Sequence, residues 1–214
     1  MKKNLTELVF ILDRSGSMSG LEQDTIGGYN AILQKQKKEE GAVNVTTVLF
    51  DDKLEQLHQR VSLQEIRPLT DSEYYVRGCT ALLDAIGHTI AYMDNVQKYA
   101  KDEDRASKVL FIITTDGQEN SSKEYNYKTI KHMIERQKER YQWEFLFLGA
   151  NIDAIATARQ FGISEDYATN YVADSVGTEL NYKAMNAAIS SCREEGTVNL
   201  CWKEEVERDY KRRS

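Results

Sequence analysis

The sequence holds one proline, Pro68, in 214 residues, and no stretch rich in proline, glycine or serine divides it. A chain of this length can bury one substantial core, so one domain over residues 1–190 with an extension over 191–214 is the expected organisation. Its cysteines, Cys79, Cys192 and Cys201, are odd in number and lack C-x-x-C spacing, which argues against a disulfide framework or a zinc site and fits a reducing compartment. His58, His88 and His132 fall in separate segments without metal-ligand spacing. Positive charge is in deficit: 28 Lys+Arg against 34 Asp+Glu give a net charge of -6. A nonspecific nucleic-acid or anionic-membrane surface needs clustered positive charge and is not expected. No apolar run approaches the length of a membrane span. The first apolar run is broken by Thr6 and Glu7 and ends in "DRSGS" without a small-residue cleavage site, unlike a secretory signal. The expected location is cytoplasmic.

What the chain does have is a set of continuous, β-rich apolar runs: "LVFIL", "VTTVLF", "KVLFIIT" and "WEFLFLG". Without alternation, such runs read as strands buried on both faces of a parallel sheet; "TNYVA" is a weaker fifth. Helical periodicity fills the intervals 24–39, 81–99, 125–141, 152–161 and about 177–195. Alternating strands and helices predict an α/β fold, a doubly wound and mostly parallel sheet with helices on both faces. "KLEQLHQRVSL" follows the second strand after only "DD" and should return as an antiparallel edge strand. The charged stretches "KQKKEE" and "ERDYKRRS" read as solvated helix faces.

Chemistry concentrates at two strand ends and one helix start. Asp13, Ser15 and Ser17 follow "LVFIL" at alternate positions, where open α/β sheets bind ligands. Carboxylate and hydroxyls with no His or Cys nearby form a hard-oxygen set suited to Mg2+, Mn2+ or Ca2+. Asp116 ends "KVLFIITTD" and is followed by Gly117; Thr80 in "RGCTALLDAI" precedes a helix. If the strand order reverses between the first strand and the one ending at Asp116, Asp13 and Asp116 flank one crevice. The plainer reading of Asp13, Ser15, Ser17 and Thr80 is helix capping.

Taken together, "DRSGS", "CTA" and "TDG" resemble the metal-ion-dependent adhesion site of von Willebrand factor A domains, over roughly residues 5–190. The likeness is to the stand-alone intracellular type of bacteria and phages. It implies that Ser15 and Ser17 bind metal through their hydroxyls, that Thr80 joins them when ligand is present, and that Asp13 and Asp116 act largely through waters. It also implies a protein partner that offers an Asp or Glu to the metal, with an AAA-type ATPase or a multi-protein assembly among the expected settings.

Around this set, Gly27 and Gly28 in "TIGGYN" lack phosphate-loop spacing and read as close helix packing against the metal loop. Asn151 and Asp153 read as helix caps, Cys79 as a small buried residue, and Glu119, Asn120, Tyr75 and Arg77 as residues that could shape partner choice. A non-enzymatic binding module is the leading expectation. A scaffold whose metal only orders its loops is an alternative. A metal-assisted phosphohydrolase with Asp13 as nucleophile is another, weakened because Ser15 stands where such chemistry usually places a second aspartate.

Overall fold

A computed structural model describes residues 5–213. The first apolar run forms β1 (Leu5–Asp13), and its alternate residues serve two different cores. Leu8, Phe10 and Leu12 face one helical layer, while Val9 and Ile11 face the other. A strand covered on both sides cannot show a polar alternation, which is why the run is continuous.

The other strands are β2 (Ala42–Phe50), β3 (Leu54–Ser62), β4 (Lys108–Thr115), β5 (Glu144–Gly149) and β6 (Ala168–Asn170). They form one six-stranded sheet in the order β3-β2-β1-β4-β5-β6. All neighbours are parallel except β3, which returns antiparallel beside β2. As expected, β3 is the edge, with no fully buried residue along its length. The weak run "TNYVA" contributes only Thr169 and Asn170 to β6, because Tyr171 to Ala173 leave the strand.

Among the described residues, six α-helices flank the sheet: α1 (Glu22–Gln36), α2 (Leu82–Tyr99), α3 (Tyr127–Tyr141), α4 (Ala154–Gln160), α5 (Ser175–Glu195) and α6 (Glu204–Arg213). Helices α1 and α5, with the tail residues Val198, Trp202 and Val206, close one core. Helices α2, α3 and α4 close the other. Helix α5 is continuous across positions 190 and 191 and ends at Gly196, whose φ of 88° is the left-handed conformation common after a helix. Buried Arg193 then donates to the main-chain carbonyls of Gln36, Glu39 and Glu40, satisfying the end of α1.

The glycine pair behaves differently from expectation. A Cβ on Gly28 would lie 2.3 Å from the Tyr182 ring of α5, whereas nothing lies within 4 Å of one on Gly27. The close approach is therefore α1 against α5, with a ring in the notch, and does not involve the metal loop.

Candidate metal centre

Neighbours β1 and β4 are joined to later strands in opposite directions across the sheet, so the crevice at their carboxyl ends is the topological switch point. Three loops meet there. The first leaves β1 through Arg14 into a short 3-10 turn, Gly16–Met18. The second descends to α2 through residues 75–81, and the third leaves β4 through residues 116–122.

Direct main-chain contacts hold the loops together. Gly16 N donates to Gly78 O at 3.2 Å, and Arg77 N to Arg14 O at 2.9 Å. Thr80 N donates to the Asn120 side chain at 2.9 Å, while Asn120 N donates back to Thr80 O at 3.0 Å. Glu119 accepts from Leu83 N, Ser121 N and Ser122 N, all at 2.8 to 2.9 Å, fixing the third loop to the first turn of α2. Glu119 and Asn120 thus brace the site from within, whereas Tyr75 and Arg77 stand at its rim.

Asp13 is fully buried. One carboxylate oxygen accepts from Ser15 N at 2.7 Å, and the other from the Thr115 hydroxyl at 2.5 Å. Burial pushes its pKa up, and the Thr115 and Ser15 bonds oppose that push. Tyr74 donates to the main-chain oxygen of Asp13 at 2.5 Å from the loop on the other side. Neither Thr115 nor Tyr74 was signalled by spacing; Thr115 stands beside Asp116 in "TTDG", but Tyr74 lies 61 residues from its partner.

Asp116 is only 1% exposed, and neither of its carboxylate oxygens has a hydrogen-bond partner. Its pKa is pushed up to about 6, first by burial and also by the charge of Asp13. The Ser17 hydroxyl is near enough to counter this in part without reaching hydrogen-bond geometry. Ser15 and Ser17 bring their hydroxyl oxygens to 3.0 Å. A Cβ on Gly117 would sit 2.9 Å from the Ser17 hydroxyl and 3.2 Å from that of Thr80. Gly117 therefore opens the space onto which Ser17 and Thr80 face, one residue from Asp116.

Capping does not account for these side chains. Ser15 precedes the 3-10 turn without a side-chain cap bond, and Ala81, rather than Thr80, is the cap position of α2, again without one. Asp153 does cap α4, accepting from Ala156 N, but Asn151 takes a left-handed turn at φ 56° instead. Cys79 is exposed, contrary to expectation, because the main-chain pairing of Gly78 and Thr80 turns the residue between them outward. Among the described residues, no three His, Cys, Asp or Glu side chains form a metal-holding group. The set at the switch point consists of two carboxylates and three hydroxyls. A buried carboxylate without a partner, beside hydroxyl oxygens in a cradle that a single methyl would fill, fits a small hard cation.

No family model matches the sequence, and no curated protein does. Solved structures do. The zinc-occupied proximal thread matrix protein 1 of the mussel byssus superposes with a TM-score of 0.54 at 16% identity, over 90% of this chain and 45% of that one. A von Willebrand factor type A structure from Catenulispora acidiphila gives 0.60 at 14% identity, over 87% and 42%. The chain has a von Willebrand factor A fold. The manganese-loaded TRAP protein of Plasmodium vivax, at 0.57 and 15% identity over 84% of this chain and 73% of that one, shares it. This chain spans less than half the length of the first two. Metals are named in two of these three: zinc in the mussel protein's adhesion motif and manganese in TRAP. Among the described residues, no helix of this von Willebrand factor A fold is long and apolar enough to cross a membrane.

Proposed function

We propose that the chain is a divalent-cation-dependent protein-binding module in which Asp13, Ser15, Ser17, Thr80 and Asp116 hold Mg2+, or Mn2+ or Ca2+, and a partner protein presents an Asp or Glu to it. The observation that most supports this is Asp116, buried with both oxygens unpartnered beside three hydroxyls. The metals in the similarly folded mussel and Plasmodium proteins support a divalent cation in general.

The chain's own residues divide the work. Asp13, with both oxygens occupied by Ser15 and Thr115, fixes the first loop and supplies negative charge from below. The hydroxyls of Ser15, Ser17 and Thr80 are neutral donors. Two carboxylates also offset the partial positive charge of the helix N-termini gathered at this end of the sheet. Once bound, the cation supplies electrostatic attraction for a carboxylate oxygen, and Mg2+ readily keeps sites for such exchangeable ligands.

The competing readings fit the geometry less well. Main-chain bonds such as Gly16 to Gly78 and Asn120 to Thr80 contribute to loop order beside any bound cation, which weakens the reading of a metal that serves only to order the loops. A nucleophilic Asp13 would usually be served by a second carboxylate two residues on as acid/base, and Ser15 stands there. The adhesion motif named for the mussel neighbour also favours a module that binds without catalysis. A cytoplasmic setting, beside an AAA-type ATPase or within a multi-protein assembly, belongs to this proposal.

Affinity capture from the native extract tests it, with wild type in Mg2+, wild type in chelator, and a folded Asp13→Ala/Ser15→Ala double variant as baits. Proteins retained only by wild type in Mg2+ are expected. Identical capture by all three baits would defeat the proposal.

A further inference from the structure

Beside the candidate metal centre lies a hollow of about 300 Å³ that begins at Gly117, the residue whose missing side chain opens the hydroxyl cradle. Its polar lining includes Glu119 and Asp153, with Gln118 and Gln160, and holds no Lys, Arg or His. Leu82 and Ile152 supply apolar wall. Tyr127 completes it, one ring face stacked on Phe161 at a centroid distance of 5.5 Å and an interplanar angle of 11°. That stacking leaves the tyrosine 37% exposed but held in place.

The carboxylates are held as firmly. Glu119 is fixed by donors from Leu83, Ser121 and Ser122, so its charge stays in position while its oxygens are spoken for. Asp153 accepts from Ala156 N through one oxygen at 2.9 Å, which leaves the second for a ligand. An apolar wall for an aliphatic stem, an aromatic face and fixed negative charge without a compensating cation are the features that receive a Lys or Arg side chain. The volume is at the small end for ligand pockets and suits one side chain.

We infer that the hollow between the β4 and β5 loops is a second recognition subsite, which takes a Lys or Arg side chain of the same partner segment whose acidic residue engages the metal. The inference rests on the binding-module reading. Because the hollow starts where the cradle ends, and an extended residue spans about 3.3–3.6 Å, the basic residue stands one or two positions from the acid. Partner choice then depends on a pair of opposite charges at close spacing.

A display library of short peptides with a fixed central glutamate and random flanks, panned on the whole chain in Mg2+ and in chelator, tests this. Metal-dependent binders should be enriched in Lys or Arg one or two positions from the glutamate. A lysine-containing peptide should bind about tenfold tighter than its glutamine counterpart, the sum of a modest ion pair and a cation–π contact. Asp153→Asn keeps the α4 cap through its amide oxygen, and Tyr127→Leu keeps an apolar wall; each should bring that ratio down toward unity while metal dependence persists. Metal-dependent binders without basic enrichment, or a ratio unchanged in both variants, would overturn the subsite and leave the metal reading intact. Binding that survives chelator, or no binding at all, would overturn both.

Discussion

Protonation of Asp116 would compete with the proposed cation for the same buried negative charge. The folded-state pKa of this residue is raised from 3.8 to about 6, chiefly by burial. A raised carboxylate contributes stability that is fully present below the unfolded value and is lost as pH rises through the folded one. In chelator, the stability of wild type relative to Asp116→Asn should therefore fall between about pH 4 and pH 6. A cation bound at pH 7 restores stability to wild type alone, because binding to the folded state adds to its stability. Thermal melts of both proteins across this pH range, with and without Mg2+, check the prediction; parallel curves for the two proteins would contradict it. At this scale the sequence was legible in placement, since Asp13, Ser15, Ser17, Thr80 and Asp116 lie together at one crevice. It was silent where a partner comes from a distant loop, as Tyr74 does for Asp13.

Between elements, contact is decided by what a helix face meets, and adjacent glycines of α1 illustrate it. Gly27→Ala adds a methyl to open space and should stabilise the protein by about 0.5–1 kcal/mol through helix propensity alone. Gly28→Ala drives a methyl into the Tyr182 ring of α5. Overpacking of about 1–3 kcal/mol should exceed the propensity gain, so this variant loses stability. Urea denaturation of the two variants reads the difference, and equal midpoints would refute the packing account. The sequence showed a Gly-Gly pair suited to close packing but not the partner helix, since that depends on how the crossovers place α5 beside α1. Strands β1, β2, β4 and β5 were legible because apolar runs have few other uses. Three-residue β6 was only partly legible, because so short an element carries little pattern.

Across the whole molecule, the site exists because a doubly wound sheet brings residues about a hundred positions apart to one crevice: Asp13 and Thr115 share a hydrogen bond across 102 positions. The alternation of strands and helices, the antiparallel edge and the switch point all followed from the order of patterned segments. The packing of the tail did not. Val198, Trp202 and Val206 join the core of α1 and α5 from an irregular segment, a 3-10 turn and α6 respectively, so no single periodicity marked them in the sequence. Trp202 donates to Asp166 O, and Lys203 to Ala168 O, so the tail crosses the end of β6. Arg213 at the close of α6 pairs with Asp174, the cap of α5, binding the chain's last described turn to the same end of the sheet as the candidate metal centre. The central claim is that this end holds a divalent cation in the cradle opened by Gly117. Titration of Mn2+ into the whole chain, followed by the electron paramagnetic resonance of the free ion, tests it most directly. Wild type should withdraw one ion per chain from solution, and Gly117→Ala, whose methyl would crowd the Ser17 and Thr80 hydroxyls, should withdraw none while remaining folded by circular dichroism. Equal uptake by the two proteins, or none by wild type, would contradict the account.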